Sequence, residues 1–266
     1  MKHIELPPKQ KKNPKAIIRN WLVAIILVII YTWTFSGINI DWLKVIERST
    51  ENFGRIIPRL FSPDFSATGE ILLKMVETIF IAYTGSLAAA IIAIPLAFMA
   101  ASNMSSNRFL NKIGLWILGG VRAFPDIVLA IIFVAAVGPN PFAGVLAIAI
   151  GSTGMLGKLY SEVIESIDMK VIEAMEANGA NKIQILFYGI MPQVIPEFLS
   201  YAIYRFEIDV RASSILGIVG AGGIGTLITF AYLNRNWEEV GMILLVIIIV
   251  VTIIDMISSY IRKRIV

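Results

Sequence analysis

The chain has 266 residues, 57% of them hydrophobic and 16% charged, against about a quarter charged in soluble domains. With a mean hydropathy of +0.76, this excludes a soluble globular domain and indicates a polytopic membrane protein. There is no cysteine, hence no disulfide framework or thiolate metal site, and the single histidine, His3, lies in a polar tail, so neither metal nor redox chemistry is expected. The net charge of +4 sits at the flanks of apolar runs, which is a signature of membrane topology and not of nucleic-acid binding.

Residues 1–15 are polar, are interrupted by Pro7, Pro8 and Pro14, and carry Lys2, Lys9, Lys11, Lys12 and Lys15, which places them on the cytoplasmic side. The apolar run 16–35 is long enough at about 1.5 Å per residue to cross a hydrocarbon core of about 30 Å. Trp21, Tyr31 and Trp33 suit its interfaces, and without a small-x-small cleavage site it reads as an anchor and not as a signal peptide. Residues 39–59 alternate Trp42, Leu43, Val45, Ile46, Phe53, Ile56 and Ile57 with charges, the pattern of an amphipathic helix on the outer membrane surface, broken by Pro58 and Pro63.

Residues 70–101 read as one long helix, uncharged from Thr78 onward and bent at Pro95, where Gly85, Ser86, Ala88, Ala89 and Ala90 permit close helix approach. After a basic inner loop with Arg108 and Lys112, residues 113–137 cross outward, interrupted by Arg122, Pro125 and Asp126, and end in a short external Gly-Pro-Asn-Pro turn. Spans over 142–159, 192–216 and 237–261 complete about six crossings, an all-α transmembrane helical bundle with both termini cytoplasmic. The expected organisation is 1–69, comprising tail, first helix and external segment, followed by a transmembrane domain over 70–266.

The longest charged passage between apolar segments is 161–192. Residues 168–178 read as a short amphipathic helix with Met169, Ile172, Met175 and Ala177 near one face and Lys170, Glu173 and Glu176 elsewhere. Gly179 supplies the turn that ends it. A second short helix is expected over 181–188, and Pro192 in the first turn of the following span.

This passage resembles the signature loop of binding-protein-dependent ABC importer permeases. Glu173 and Ala174 stand at its acidic and first small positions, Gly179 at its glycine and Pro192 at its proline. Met175 replaces the second small residue, Gly189 a hydrophobic one and Met191 a leucine. The stretches RAFPDIVLAIIFVAAVGPNPFAGVLAIAI, GMLGKLYSEVIESID and LSYAIYRFEIDVRASSILGIVGAGGIGTLI are similar to the phosphonate subfamily of these permeases, so the resemblance covers roughly 72–261. It implies a type I importer (MetI-like) fold in a bacterial inner membrane. It further implies a homodimeric translocation path, a separate ATP-binding subunit docking on 161–192, and an extracytoplasmic substrate-binding protein. Met169, Ile172, Glu173, Ala174, Met175, Glu176, Gly179 and Pro192 are then the coupling residues; the competing reading of the passage is an ordinary connector.

Two further constellations carry chemistry. In the fifth span Arg205 and Asp209, and Glu207 and Arg211, are i,i+4 pairs on nearly opposite helix faces. Such charges mark pathways or hold helices together, and with Arg122 these four are the candidates to line a path, the arginines offsetting an anionic solute. Gly220, Gly222 and Gly225 satisfy G-x-G-x-x-G, but no strand precedes them, so with Gly223 they read as a tightly packed or gating turn and not as a dinucleotide site.

No G-x-x-x-x-G-K-[ST] loop occurs, so ATP and its Mg are expected on the partner subunit and this chain carries no cofactor, metal or catalytic residue of its own. Ser213 and Ser214 beside Arg211 read as packing hydroxyls. The resemblance implies a permease for phosphonates or related phosphorus oxyanions such as phosphite and phosphate. The alternatives are a permease for methionine or another small solute, and an ATP-independent channel or ion-coupled carrier.

Overall fold

The computed structural model describes residues 14–37, 41–104 and 107–265. The basic tail with Lys2, His3, Lys9, Lys11 and Lys12, and also Asn39, lies outside the described residues. The chain forms two compact units, Met1–Arg55 and Ile56–Val266, each all-helical among the described residues.

In the first unit, α1 (Pro14–Gly37) is an uninterrupted apolar helix; Phe35 near its end stacks on Trp42, with ring centroids 6.1 Å apart. The amphipathic segment forms α2 (Trp42–Leu60), in which no residue is buried and Lys44 pairs with Asp41 at 2.7 Å. Pro58 does not break it. A proline removes one hydrogen bond to the carbonyl four residues back, and with Pro58 in the final turn the helix still runs two residues further.

The second unit takes in the last turns of α2 from Ile56 and, after a short 3-10 turn at Phe65–Ala67, α3 (Thr68–Ala100). Packed on α3 are α4 (Arg108–Arg122), α6 (Pro141–Glu165), α9 (Met191–Leu216), α10 (Ile224–Leu233) and α11 (Trp237–Ile265), while α5 (Asp126–Val137) packs on α6 and α9. Small residues set the closest approaches. A Cβ on Gly85 would lie 2.7 Å from Ile148, and one on Gly144 would lie 2.7 Å from the Ala221 carbonyl oxygen. Among the described residues, four helices are long and apolar enough to cross a membrane, or up to six spans if each of two bent helix pairs counts as one.

Those two pairs depart from straight spans. The third expected crossing is α4 followed by α5 at 84°, because Pro125 takes an extended conformation (φ −62°, ψ 139°) and starts a new helix at Asp126. The glycine run that follows the fifth expected span leads into α10 after a 44° bend.

The segment 161–192 is folded tightly onto the bundle. Helix α7 (Met169–Ala177) is followed by the single turn α8 (Lys182–Gln184) with an Asn181–Gln184 capping box. The separate helix expected over 181–188 does not form. A π-helical turn, Ile185–Ile190, instead joins α8 directly to α9. The physical reason is Pro192: lacking an N–H it leaves the Tyr188 carbonyl without its helical donor, and the wider turn shifts the bonding by one residue, as when the Met191 N–H reaches Leu186 O, five residues back.

Candidate functional site

Helix α7 is built by its caps. The Asp168 carboxylate accepts from the Lys170 N–H at 3.0 Å, and Gly179, at φ +79°, turns the chain back so that the Ala180 N–H reaches Met175 O at 3.0 Å. Of its residues, Met169, Lys170, Val171, Glu173, Ala174 and Glu176 are exposed, whereas Ile172 is 6% exposed and joins a core cluster with Leu156, Tyr160, Ile190 and Val194. Met175 packs on the same cluster. Ile172 is therefore used in seating α7 on its own chain, and Met175 partly so, whereas Met169, Glu173, Ala174, Glu176 and Gly179 are exposed. Pro192 occupies the first turn of α9, as its spacing implied.

The charged residues of α9 separate into two networks, as the opposite faces required. On one face Arg205 Nε lies 2.8 Å from Asp209 Oδ1 and Arg205 Nη2 lies 3.2 Å from Asp126 Oδ2. Ser86 and Ser152 donate to Asp209 Oδ2 at 2.7 and 2.8 Å, and Arg205 Nε also donates to Ser152 Oγ at 2.9 Å. Asp209 is 0% exposed and Arg205 8%. The cluster thus ties α3, α5, α6 and α9 together; each buried charge has an opposite charge beside it, although Asp209 Oδ1 accepts no hydrogen bond and meets Arg205 only as an ion pair.

On the other face Arg211 Nη2 bridges Glu207 Oε1 at 2.9 Å and Asp255 Oδ2 at 2.6 Å, while Arg262 Nη2 holds Glu207 Oε2 at 3.0 Å. Arg262 also lies over the Tyr204 ring, 5.3 Å from its centroid. This network joins α9 to α11, and its Arg211 side chain is 46% exposed. Arg122 belongs to neither. It is exposed at the α4–α5 elbow and makes no ion pair among the described residues.

The glycine segment forms a turn anchored from α3. Gly220, Gly222 and Gly223 have φ of 90°, 80° and 74°, the left-handed region that a side chain disfavours. The Gly223 N–H donates to Glu77 Oε1 at 2.9 Å and the Ile224 N–H to Thr78 Oγ1 at 2.7 Å, so α3 caps the first turn of α10. Lys74 pairs with Glu77 at 2.6 Å. Gly225 lies against Gly217, a Cβ there meeting Gly217 Cα at 2.8 Å. Sequence reasoning missed Glu77, Thr78, Ser86, Ser152, Asp255 and Arg262. Each lies far along the chain from its partner, and only the charge of Asp255 inside an apolar helix was a signal.

A helical bundle with broken spans, buried charge clusters and a capped helix seated between two of its spans is a membrane protein, and the chain belongs to the family described as binding-protein-dependent transport system inner membrane component, matched over residues 93–266. Among its relatives is the phosphite transport system permease protein PtxC of Stutzerimonas stutzeri, 38% identical over 76% of this chain and 74% of that protein. The phosphate-import permease protein PhnE of Mycolicibacterium smegmatis is 36% identical over 89% of this chain and 42% of its own length. In fold, the chain is similar to the inward-facing MetNI methionine ABC transporter, with a TM-score of 0.66 at 20% identity over 76% of this chain and 99% of that one. The protein is accordingly an ABC importer permease of MetI-like fold, a transport subunit and not an enzyme.

Proposed function

We propose that this chain forms half of the translocation path of an ATP-driven importer for phosphorus oxyanions, a second copy completing the path. The observation that carries the substrate class is the agreement of its relatives: the phosphite and the phosphate permease are 38% and 36% identical over most of this chain. The methionine transporter shares the fold at 20% identity, which supports no inference about solute. The geometry adds an electrostatic reason. Arg205 is satisfied by Asp209 and Asp126, so Arg122, at the helix elbow, is the arginine left to offset an entering anion through its planar fork.

In this reading both termini face the cytoplasm, an ATP-binding subunit engages Met169, Glu173 and Glu176 on α7, and an extracytoplasmic binding protein delivers the solute at the opposite end. Glu173 and Glu176 steer and orient basic groups of the ATP-binding subunit, while the apolar stem of Met169 supplies buried contact. Gly220, Gly222, Gly223 and Gly225 fix the outer turn at which the path closes. ATP and Mg bind only on the partner.

The test is ATP-dependent uptake of labelled phosphite, phosphonate, phosphate and methionine into proteoliposomes holding this chain with its ATP-binding subunit and binding protein. Uptake of a phosphorus oxyanion, lost when any component is omitted, is the expected outcome. A second reading, an ion-coupled carrier using the Arg205, Asp209 and Asp126 cluster as a relay, predicts instead that this chain transports alone.

A further inference from the structure

We propose that Gln193 is the positioning residue that makes α7 and α9 move as one body, and so fixes how much of the ATP-binding subunit's motion reaches the path; this rests on the coupling role assigned to α7 above. Along the backbone, α7 reaches α9 only through the Gly179 turn, α8 and the π-helical turn Ile185–Ile190. A π turn is rare and wider than an α turn, with poorer packing down its axis. Left to itself, this connection is where a push on α7 would be absorbed.

Gln193 bypasses it. Standing in the first turn of α9, its Oε1 accepts from the Asp168 N–H at 3.0 Å, and its Nε2 donates to the Gly189 carbonyl at 2.7 Å. One side chain therefore links the N-cap of α7, the last part of the π turn and the start of α9. The middle of α7 is seated at the same place. Gly189 is buried, and a Cβ there would lie 3.0 Å from Met175 Sδ and 4.0 Å from Ile172 Cγ1, so α7 rests directly on the π turn. From Gln193, α9 runs about 18 Å to Arg205, at about 1.5 Å per residue. A rotation imposed on α7 is thereby delivered to the helix that carries both charge networks, whereas without the amide the π turn yields.

The seat formed by Ile172 and Met175 supplies stability; the Gln193 amide supplies direction, because it is the contact that reaches the first turn of α7 from α9. Substitutions can separate the two. Gln193→Leu keeps size and removes both hydrogen bonds. Gln193→Glu keeps the acceptor for the Asp168 N–H and loses the donor to Gly189.

The experiment measures uptake and ATP hydrolysis on the same proteoliposomes, containing the full chain, the ATP-binding subunit and the binding protein. Gln193→Leu is expected to co-purify with the ATP-binding subunit and to hydrolyse ATP within about twofold of the parent, while solute moved per ATP falls about fivefold, the scale of one lost hydrogen bond between elements. Gln193→Glu is expected to recover most of that ratio. A Leu variant with the parental ratio, one that no longer assembles, or Leu and Glu variants equally impaired would each overturn the proposal. Hydrogen exchange on the isolated chain gives a readout independent of transport: the Asp168 amide exchanges faster in the Leu variant and not in the Glu variant. If the parent shows no ATP-dependent uptake, the importer reading falls, while this exchange result still decides the Gln193 link.

Discussion

At the scale of single residues, the two arginines of α9 are predicted to behave differently although each sits in an i,i+4 pair. Asp209 is 0% exposed, and Asp209→Ala removes the buried partner of Arg205. The expected loss is about 3 kcal/mol, read as a lower thermal unfolding midpoint of the purified chain in detergent. Arg211 is 46% exposed, so Arg211→Gln is expected to cost less than about 1 kcal/mol in the same assay. Arg122 has no such structural duty. Arg122→Gln is expected to leave the midpoint unchanged and to lower uptake of a phosphorus oxyanion about tenfold, with Arg122→Lys recovering part of it, since an ammonium keeps the charge but not the fork. Unchanged uptake by the Gln variant would remove Arg122 from the path. The pairing within α9 was legible in the sequence because i,i+4 spacing fixes it. Asp126, Ser86 and Ser152 were not legible as partners, since their meeting depends on how α3, α5 and α6 pack.

At the scale of elements, the short helix α7 was legible to within a residue because its boundaries are chemical: Asp168 caps one end and Asn178 and Gly179 close the other. Gly179 stands in open space at φ +79°, so Gly179→Ala is expected to cost about 1 kcal/mol through the backbone alone. Its effect falls on α7, visible as weaker co-purification of the ATP-binding subunit with little change in global unfolding. Gly225 is the opposite case. Its missing side chain is required by the Ser214 carbonyl and by Gly217 Cα at 2.8 Å, and Gly225→Ala is expected to destabilise the α9–α10 junction by about 2 kcal/mol, measured by thermal unfolding. The sequence marked that run as turn-forming but not as the joint between two helices, because glycines permit a change of direction without specifying the element beyond it. The α4–α5 elbow was half legible in the same way. Pro125 and Asp126 signalled an interruption, while the 84° angle is set by packing against α6, where a Cβ on Gly154 would meet the Arg122 backbone nitrogen at 2.9 Å.

At the scale of the whole molecule, hydropathy and the basic flanks were enough to read an all-helical membrane chain, and the spacing from Glu173 to Pro192 enough to suggest its family. What they could not reveal is that two expected spans are broken pairs, so that helices and crossings differ in number. All the charge networks of α9, α7 and the family match over 93–266 lie within the unit Ile56–Val266. A chain lacking residues 1–55 is therefore expected to insert and to retain the ATP-binding subunit on co-purification. Loss of that association would mean that α1 or α2 is needed to complete the permease.

The capping of α10 by α3 also has a dynamic consequence. A turn with three glycines in the left-handed region is ordinarily among the first places where a protein opens, yet here the Gly223 and Ile224 amides are donated to Glu77 and Thr78, residues on the 33-residue helix α3. Their protons are released only when that helix parts from the turn. Amide exchange at these two positions should thus be slow, and it should accelerate together, as one event, in any state where α3 and the turn separate.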